Sequence, residues 1–427
     1  MSDYQRFIFK SYEFNANSKT LYLYYSLDGL LEFCESYYFD FEYAPYDTVA
    51  LERAIQALFF MAGVSYYKTY LPPEIVIEKG ELDKQMAAFF SKTYQKGLGE
   101  YFFVNQLDPL TPVPFSETAS SLDPLSTIPG DGLLVGIGGG KDSLVSVELL
   151  RNQAKNLATC SVGHRPQLEP LVARIGLPHY WVERTWDRRL LDHNAQGALN
   201  GHVPISAILA CVCTVVAILS GRQEVLVSNE QSANEPTLNY RGVDINHQYS
   251  KSLEFEQDYQ SFLSHTLKGR VGYYSFLRPL SEIYIAELFS QLGFEKYNDV
   301  FSSCNRAFTA QSHKLFWCGQ CPKCAFTFLA FTPFIAREKL EALWDGKNLL
   351  LDPSLERIYR QLLGIEGAKP LECVGEVKES RVAMHLAQTV YPELANFQFE
   401  LPQNYSYKTL GPSSMPEVLM AILKSRL

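Results

Sequence analysis

Residues 1 to about 45 alternate aromatic or aliphatic side chains with polar ones, as in FIFKSYEF and TLYLYYSL. A period of two places every second side chain on the same side, so this stretch predicts strands with one buried face. Residues 48–62 (TVALERAIQALFFMA) change to helical spacing, and residues 82–97 predict a second helix. Residues 1–115 therefore read as an α+β N-terminal domain. From 106 to 131 the chain is rich in Pro, Ser and Asp without apolar periodicity. That is the composition of a linker or long loop, and residues 116–131 mark the expected boundary.

Beyond it the pattern changes. LLVGI is a short apolar strand, and SLVSVELLRNQA a helix with apolar positions at Leu144, Val145, Val147, Leu149 and Leu150. NLATCSV, HYWVE, a long apolar stretch at 203–219 and EVLVSN continue as strands and helices in turn. Such alternation predicts a parallel sheet covered on both faces, here over residues 132–330. The apolar stretch is broken by Pro204, Ser206 and Thr214 and is short for a membrane span, so a buried helix is expected and no membrane contact. Residues 331–427 read as mainly helical.

The formal charge of −9, from 38 basic and 47 acidic side chains, argues against broad nucleic-acid binding, which needs a basic face. The opening MSDYQRFIFK lacks the apolar core of an export signal. With nine cysteines, this points to a reducing, cytoplasmic setting. Cys34, Cys160, Cys211 and Cys213 lie in apolar runs and read as core.

Two motifs carry chemistry. The strand ending at Ile137 delivers Gly138, Gly139 and Gly140, and a helix opens near Asp142–Ser143. Small residues let a phosphate approach the backbone, and the unpaired N–H groups of the helix start point toward it. A Walker A loop would need Ser or Thr after the lysine, where Asp142 stands; the Rossmann spacing fails for want of a third glycine. The loop resembles the PP-loop of the ATP-pyrophosphatases, Ser-Gly-Gly-x-Asp-Ser, with Gly138 in place of the first serine. That resemblance implies an adenine nucleotide alpha hydrolase-like fold and cleavage of ATP to AMP and pyrophosphate. Lys141 and Ser143 would meet phosphate oxygens, and Asp142 would meet magnesium or cap the helix.

The second motif is C-x13-C-G-Q-C-P-K-C, formed by Cys304, Cys318, Cys321 and Cys324. Thiolates so spaced can close a tetrahedral Cys₄ shell, with zinc the leading metal and an iron–sulfur cluster also compatible. A closed shell leaves no open position for chemistry, so its role is structural. It is similar to the zinc site of the 7-cyano-7-deazaguanine synthases, which are also PP-loop enzymes.

A wider set of blocks stands in order along the chain: GVSYYK (63–68), GIGGGKDSLVSVELL (136–150), NGHVPISAI (200–208), VSNEQSA (227–233), NHQYSK (246–251), FSSCNR (301–306), WCGQCPKCAF (317–326) and ECVGEVKESR (372–381). Together they resemble the UDP-N-acetylmuramoyl-L-alanyl-L-glutamate epimerases, the MurL family, over residues from about 60 to 385. The resemblance implies inversion of the terminal L-glutamate of UDP-MurNAc-L-Ala-L-Glu for peptidoglycan, with ATP and magnesium consumed. ATP has a chemical reason to take part. A proton beside a carboxylate is hard to remove, and adenylation cancels the carboxylate charge before a side-chain base acts.

Candidate site residues follow. His202 and His247 sit in polar blocks and titrate near neutrality, so either is a candidate base or a phosphate or ribose contact. Asn229, Glu230 and Ser232 follow a strand end, where parallel sheets bind ligands. Lys251 and Arg278 are candidates to offset pyrophosphate, UDP or glutamate charge. Cys373 is a candidate base if a cation depresses its pKa, against which Glu372 and Glu376 are expected to act. Two other functions compete: a PP-loop synthase or ligase adenylating a nucleobase or tRNA, and a non-catalytic ATP sensor.

Overall fold

The alternating N-terminal residues pair as antiparallel strands β1 (Arg6–Asn15), β2 (Thr20–Leu27) and β3 (Leu31–Asp40). Asp28 and Gly29, both at positive φ, turn β2 into β3, and the Asp28 carboxylate accepts from Gln5 and Arg6 N–H at 2.9 and 2.8 Å. The computed structural model describes residues 4–118, 123–126, 130–308, 312 and 314–427. Residues 119–122 and 127–129 of the expected linker lie outside the described residues.

The remaining strands are β4 (Glu74–Ile77), β5 (Leu133–Gly136), β6 (Leu157–Val162), β7 (His179–Thr185), β8 (Glu224–Val227), the hairpin β9 (Leu238–Tyr240) and β10 (Val243–Ile245), and β11 (Gly272–Ser275). Among the described residues nine of them form one sheet in the order β11-β8-β5-β6-β7-β3-β2-β1-β4. The five strands from β11 to β7 are parallel, as the alternation of strands and helices predicts. β3 then pairs antiparallel with β7, from Ser36 opposite Thr185 to Asp40 opposite Trp181, so the N-terminal strands extend the same sheet.

Successive side chains of a strand face opposite sides, and the sheet divides its apolar residues accordingly. Leu134 and Val225 face a core that includes helices Thr48–Ala62, Lys84–Gly97, Ile205–Ser220 and Leu253–Leu267. Leu133, Val135 and Leu226 face a second core with helices Lys141–Leu150, Arg165–Ile175, Glu282–Leu292 and Pro322–Phe331. The helix expected at 48–62 has those bounds, and Asp47 caps it by accepting from Val49 and Ala50 N–H. The stretch Thr48–Tyr67 is long and apolar enough to cross a membrane, but 72% of its most apolar 18 residues is buried in the protein, and the apolar helix Ile205–Ser220 is likewise core. Cys160, Cys211 and Cys213 are buried as expected, whereas Cys34, on β3 between Phe33 and Glu35, is only half-buried.

Within the parallel half the chain leaves β5 toward β6 and β7, then returns to the other side of β5 through β8 and β11. Where the direction of winding reverses, helices depart to opposite faces and a crevice opens at the carboxyl ends of the strands. Here it lies between β5 and β8, and the loops leaving it are Gly136–Gly140 and Ser228–Glu230.

Candidate active site

At the end of β5 the backbone must turn sharply, and Gly139 does so at φ +91°. A Cβ there would come within 3.0 Å of Leu168 and Phe308, and one on Gly140 within 2.7 Å of Ser303 Oγ. Gly138 has nothing within 4 Å of its Cβ position, so it borders open space. The helix Lys141–Leu150 begins with Gly140 as N-cap and no side-chain cap, leaving its first N–H groups for an anion. The crevice continues into a cavity of about 720 Å³ lined by Gly136, Gly138, His164, Trp186, Asn229 and Lys251 among others, a volume suited to a small-molecule ligand.

Lys141 is 2% exposed, and its ammonium donates to Asp142 and to Glu282, which is itself fully buried. Lys323 approaches the other Glu282 oxygen at 3.7 Å. Burial would raise the Glu282 carboxyl, but the two ammonium groups hold it down to about 2. Ser143 Oγ donates to Gly140 O at 3.2 Å. On the far side of Glu282, its backbone N–H donates to Glu379 Oε1 at 2.8 Å; burial and the neighbouring Glu376 and Glu282 push the Glu379 carboxyl up to about 8.

The segment after β8 turns inward. Glu230 is buried, and burial together with the Glu282 charge raises its pKa. Ser232 is also buried, its hydroxyl 3.4 Å from Glu230 Oε1. Arg278, expected as a counter-charge for substrate, is fully buried and otherwise engaged. Its guanidinium donates to Glu230 O at 2.8 Å, to Lys251 O, and to Glu256 Oε2 at 3.1 Å. It positions the backbone of two site residues and does not face a ligand.

The hairpin β9–β10 leads into residues 246–251, where Asn246 fastens the loop by donating to Ala233 O at 2.9 Å. His247 donates through Nδ1 to Glu100, and its ring lies beside the Cys373 sulfur. Lys251 Nζ donates to Cys373 Sγ at 3.2 Å. Burial opposes charge on both His247 and Cys373, yet mutual attraction prevails. His247 is pushed up to about 9 by Cys373 and Glu100, and Cys373 is lowered to about 6 by Lys251, His247 and Lys323. The expected opposition of Glu372 and Glu376 is overturned, because three cations surround the sulfur. Burial pushes the Glu372 carboxyl up, which weakens its charge further. His202 lies 4.8 Å from the His247 ring; burial and the adjacent His247 charge lower it to about 4, leaving it neutral. The ligand atoms of Glu100, His202 and His247 fall within 4.8 Å of one another, but His247 is engaged as donor to Glu100, which suits a hydrogen-bonded pair better than a metal shell.

The four motif cysteines converge, with Sγ atoms within 4.8 Å of one another and nearest approaches of 3.8 and 4.0 Å. A tetrahedron with metal–sulfur bonds of about 2.3 Å has edges of about 3.8 Å, so the cluster can hold a metal ion. It adjoins the glycine loop: Ser302, two residues before Cys304, donates its N–H to Gly139 O at 3.0 Å.

The crevice thus gathers residues spread over more than two hundred positions in the order of the chain, and the order itself matches known proteins. A family model for the MurL N-terminal domain matches residues 1–276, and one for the MurL C-terminal domain matches residues 300–396. The chain belongs to the MurL family. Relatives named UDP-N-acetyl-alpha-D-muramoyl-L-alanyl-L-glutamate epimerase are similar to it in sequence. That of Salinispora tropica is 38% identical, with 89% of this chain and 84% of the relative covered. That of a Micromonospora species is 40% identical, with 79% and 76% covered, and that of Xanthomonas oryzae pv. oryzae 38%, with 79% and 75% covered.

In this MurL chain Asn229 and Lys251 line the cavity beside Gly138, and Lys251 reaches Cys373, next to which His247 and His202 are packed. Sequence reasoning missed Glu100, Glu282 and Lys323. Glu100 is a lone acid in the short helix Gly99–Val104, and its histidine partner is 147 residues away. Lys323 stood within a recognised motif, but its spacing spoke only for the cysteines around it.

Proposed function

We propose that the protein inverts the terminal L-glutamate of UDP-MurNAc-L-Ala-L-Glu to D-glutamate in the cytoplasm, through an ATP-derived acyl-adenylate. The names of the relatives support the substrate. The observation that carries the mechanism is Cys373, a part-buried thiolate held between Lys251 and His247 next to an open phosphate loop. The loop supports a PP-loop assignment, with Gly138–Gly140 N–H groups, Lys141 and Ser143 as phosphate contacts. Asp142, 22% exposed at the loop, would hold magnesium, which neutralises phosphate charge when bound. The Cys₄ set would hold zinc as a structural cross-link.

In this reading a glutamyl α-carboxylate oxygen attacks the α-phosphorus of ATP, and the bond to the β-phosphate breaks to release pyrophosphate. Cys373 thiolate takes the Cα proton, and the electron pair moves into the acyl carbonyl, which no longer carries a full negative charge. A proton returned to the opposite face inverts the centre. Water then cleaves the mixed anhydride, giving AMP and the free carboxylate. Lys251 and His247 stabilise the thiolate; Glu100 orients His247.

The test uses ATP, magnesium and UDP-MurNAc-L-Ala-L-Glu in D₂O, following pyrophosphate and deuterium at the glutamyl Cα. Wild type is expected to yield both. Cys373→Ala should lower deuterium entry by about 10²–10⁴-fold while sparing pyrophosphate release, as loss of a general base does. Deuterium entry at the wild-type rate in Cys373→Ala would remove the thiolate from the mechanism.

A further inference from the structure

The block GVSYYK takes no part in the chemistry above, yet it packs beside it. Lys68 follows the short helix Val64–Tyr67 and is 7% exposed. Its Nζ donates to Asn200 Oδ1 at 3.0 Å, an oxygen that also accepts from Gly201 N–H at 2.8 Å. Tyr101 donates its hydroxyl to Lys68 O at 2.6 Å, and Asn105 Nδ2 donates to Asn200 O at 3.0 Å. Tyr101 follows Glu100 in the chain, and Gly201 precedes His202. Through Tyr101, next to Glu100, and Asn200, two residues before His202, Lys68 packs against the segments that carry two members of the cluster of Glu100, His202 and His247.

Its environment differs from that of the other lysines of the site. Lys141 and Lys323 face the Glu282 carboxylate, and Lys251 faces the Cys373 sulfur. Lys68 meets an amide oxygen and, among the described residues, forms no ion pair. With burial alone acting on it, the ammonium is lowered to about 8. A buried cation without a counter-charge is costly. Asn200, which accepts from the ammonium, is exposed, so the charge lies one hydrogen bond below the surface.

We infer that Lys68 recognises an oxyanion of the substrate, completing its ion pair only when substrate binds. The inference rests on the epimerase reading. The substrate offers two such groups: the glutamyl side-chain carboxylate, which stays charged when the α-carboxylate is adenylated, and the diphosphate of the nucleotide. Proximity to the proton-transfer cluster favours the side-chain carboxylate, which hangs only two methylene groups from Cα. Lys68 would then determine why glutamate, and not its amide, is inverted.

Three substrates test this: UDP-MurNAc-L-Ala-L-Glu, its γ-amide with glutamine in last place, and the nucleotide-free muramoyl dipeptide. kcat/KM for deuterium entry is measured with wild type, Lys68→Met, and Lys68→Gln as a second variant in case the first does not fold. Wild type should prefer the carboxylate over the amide by about 10²-fold or more, as a site built around one charged group does. Either variant should lose about that factor on the carboxylate substrate, with or without the nucleotide, and stay within a few-fold of wild type on the amide. A loss that vanishes only with the nucleotide-free substrate would assign the oxyanion to the diphosphate and overturn the glutamyl assignment. An equal loss on all three substrates would overturn the inference and leave Lys68 a structural residue. No turnover by wild type on any of them would instead reject the epimerase reading itself.

Discussion

At Cys373 a sulfur that burial alone would keep protonated becomes a thiolate near neutrality because Lys251, His247 and Lys323 surround it. The pair sets the expected pH profile. The reactive thiolate forms as pH rises through about 6, and the His247 imidazolium that supports it is lost as pH rises through about 9. kcat/KM, which reports the free enzyme, should therefore rise and then fall across that window. Glu100→Gln removes a negative charge from the side of His247, so the imidazolium titrates earlier. The descending limb should move to lower pH by on the order of one unit. The pH dependence of deuterium entry, and of Cys373 alkylation, checks this; an unmoved descending limb would remove Glu100 from its positioning role. Candidates such as His247, Lys251 and Cys373 were legible as residue types in polar blocks. Their pairing was not, because a sequence does not show which distant carboxylate or cation neutralises which group.

The glycine loop is the element whose sequence and structure agree most closely. Strand, glycines and helix follow one another along the chain, and local geometry alone demands glycine at Gly139 with its φ of +91°. Gly139→Ala should strain the backbone and press on Leu168 and Phe308, destabilising the protein by more than about 1 kcal/mol and slowing pyrophosphate release. Gly138→Ser meets open space and should leave the melting midpoint unchanged while supplying a hydroxyl to phosphate. Thermal melts and pyrophosphate assays on both variants check the contrast, and a destabilised Gly138→Ser would show that the position is not open. The neighbouring Cys₄ element was equally legible, since its spacing is local. Its contact with the loop through Ser302 and Gly139 was not, since the two segments lie far apart in the chain.

Across the whole molecule, the antiparallel N-terminal strands and the parallel strands meet at the β3–β7 seam. There Arg184 donates to Glu35 Oε1 at 2.8 Å, and Tyr37 donates to the same carboxylate. Glu35 is fully buried, so Arg184→Met would leave a carboxylate without its cation. A loss of about 3–5 kcal/mol is expected in urea unfolding, as for other broken buried pairs. A change below about 1 kcal/mol would show that solvent reaches the seam.

The sequence by itself determined the elements, the glycine loop and the Cys₄ motif, because each depends on neighbours in the chain: a period of two or of 3.6, a turn, a ligand spacing. It also carried the family, through blocks kept in order. The tertiary structure alone decided that the N-terminal strands join the parallel sheet, that Arg278 is a buried clamp, and that Glu100, His247, Cys373 and Lys251 form one line. Those outcomes depend on distances between segments up to 273 residues apart (Glu100 to Cys373), and on the competition between burial and opposite charge that exists only once the chain has folded.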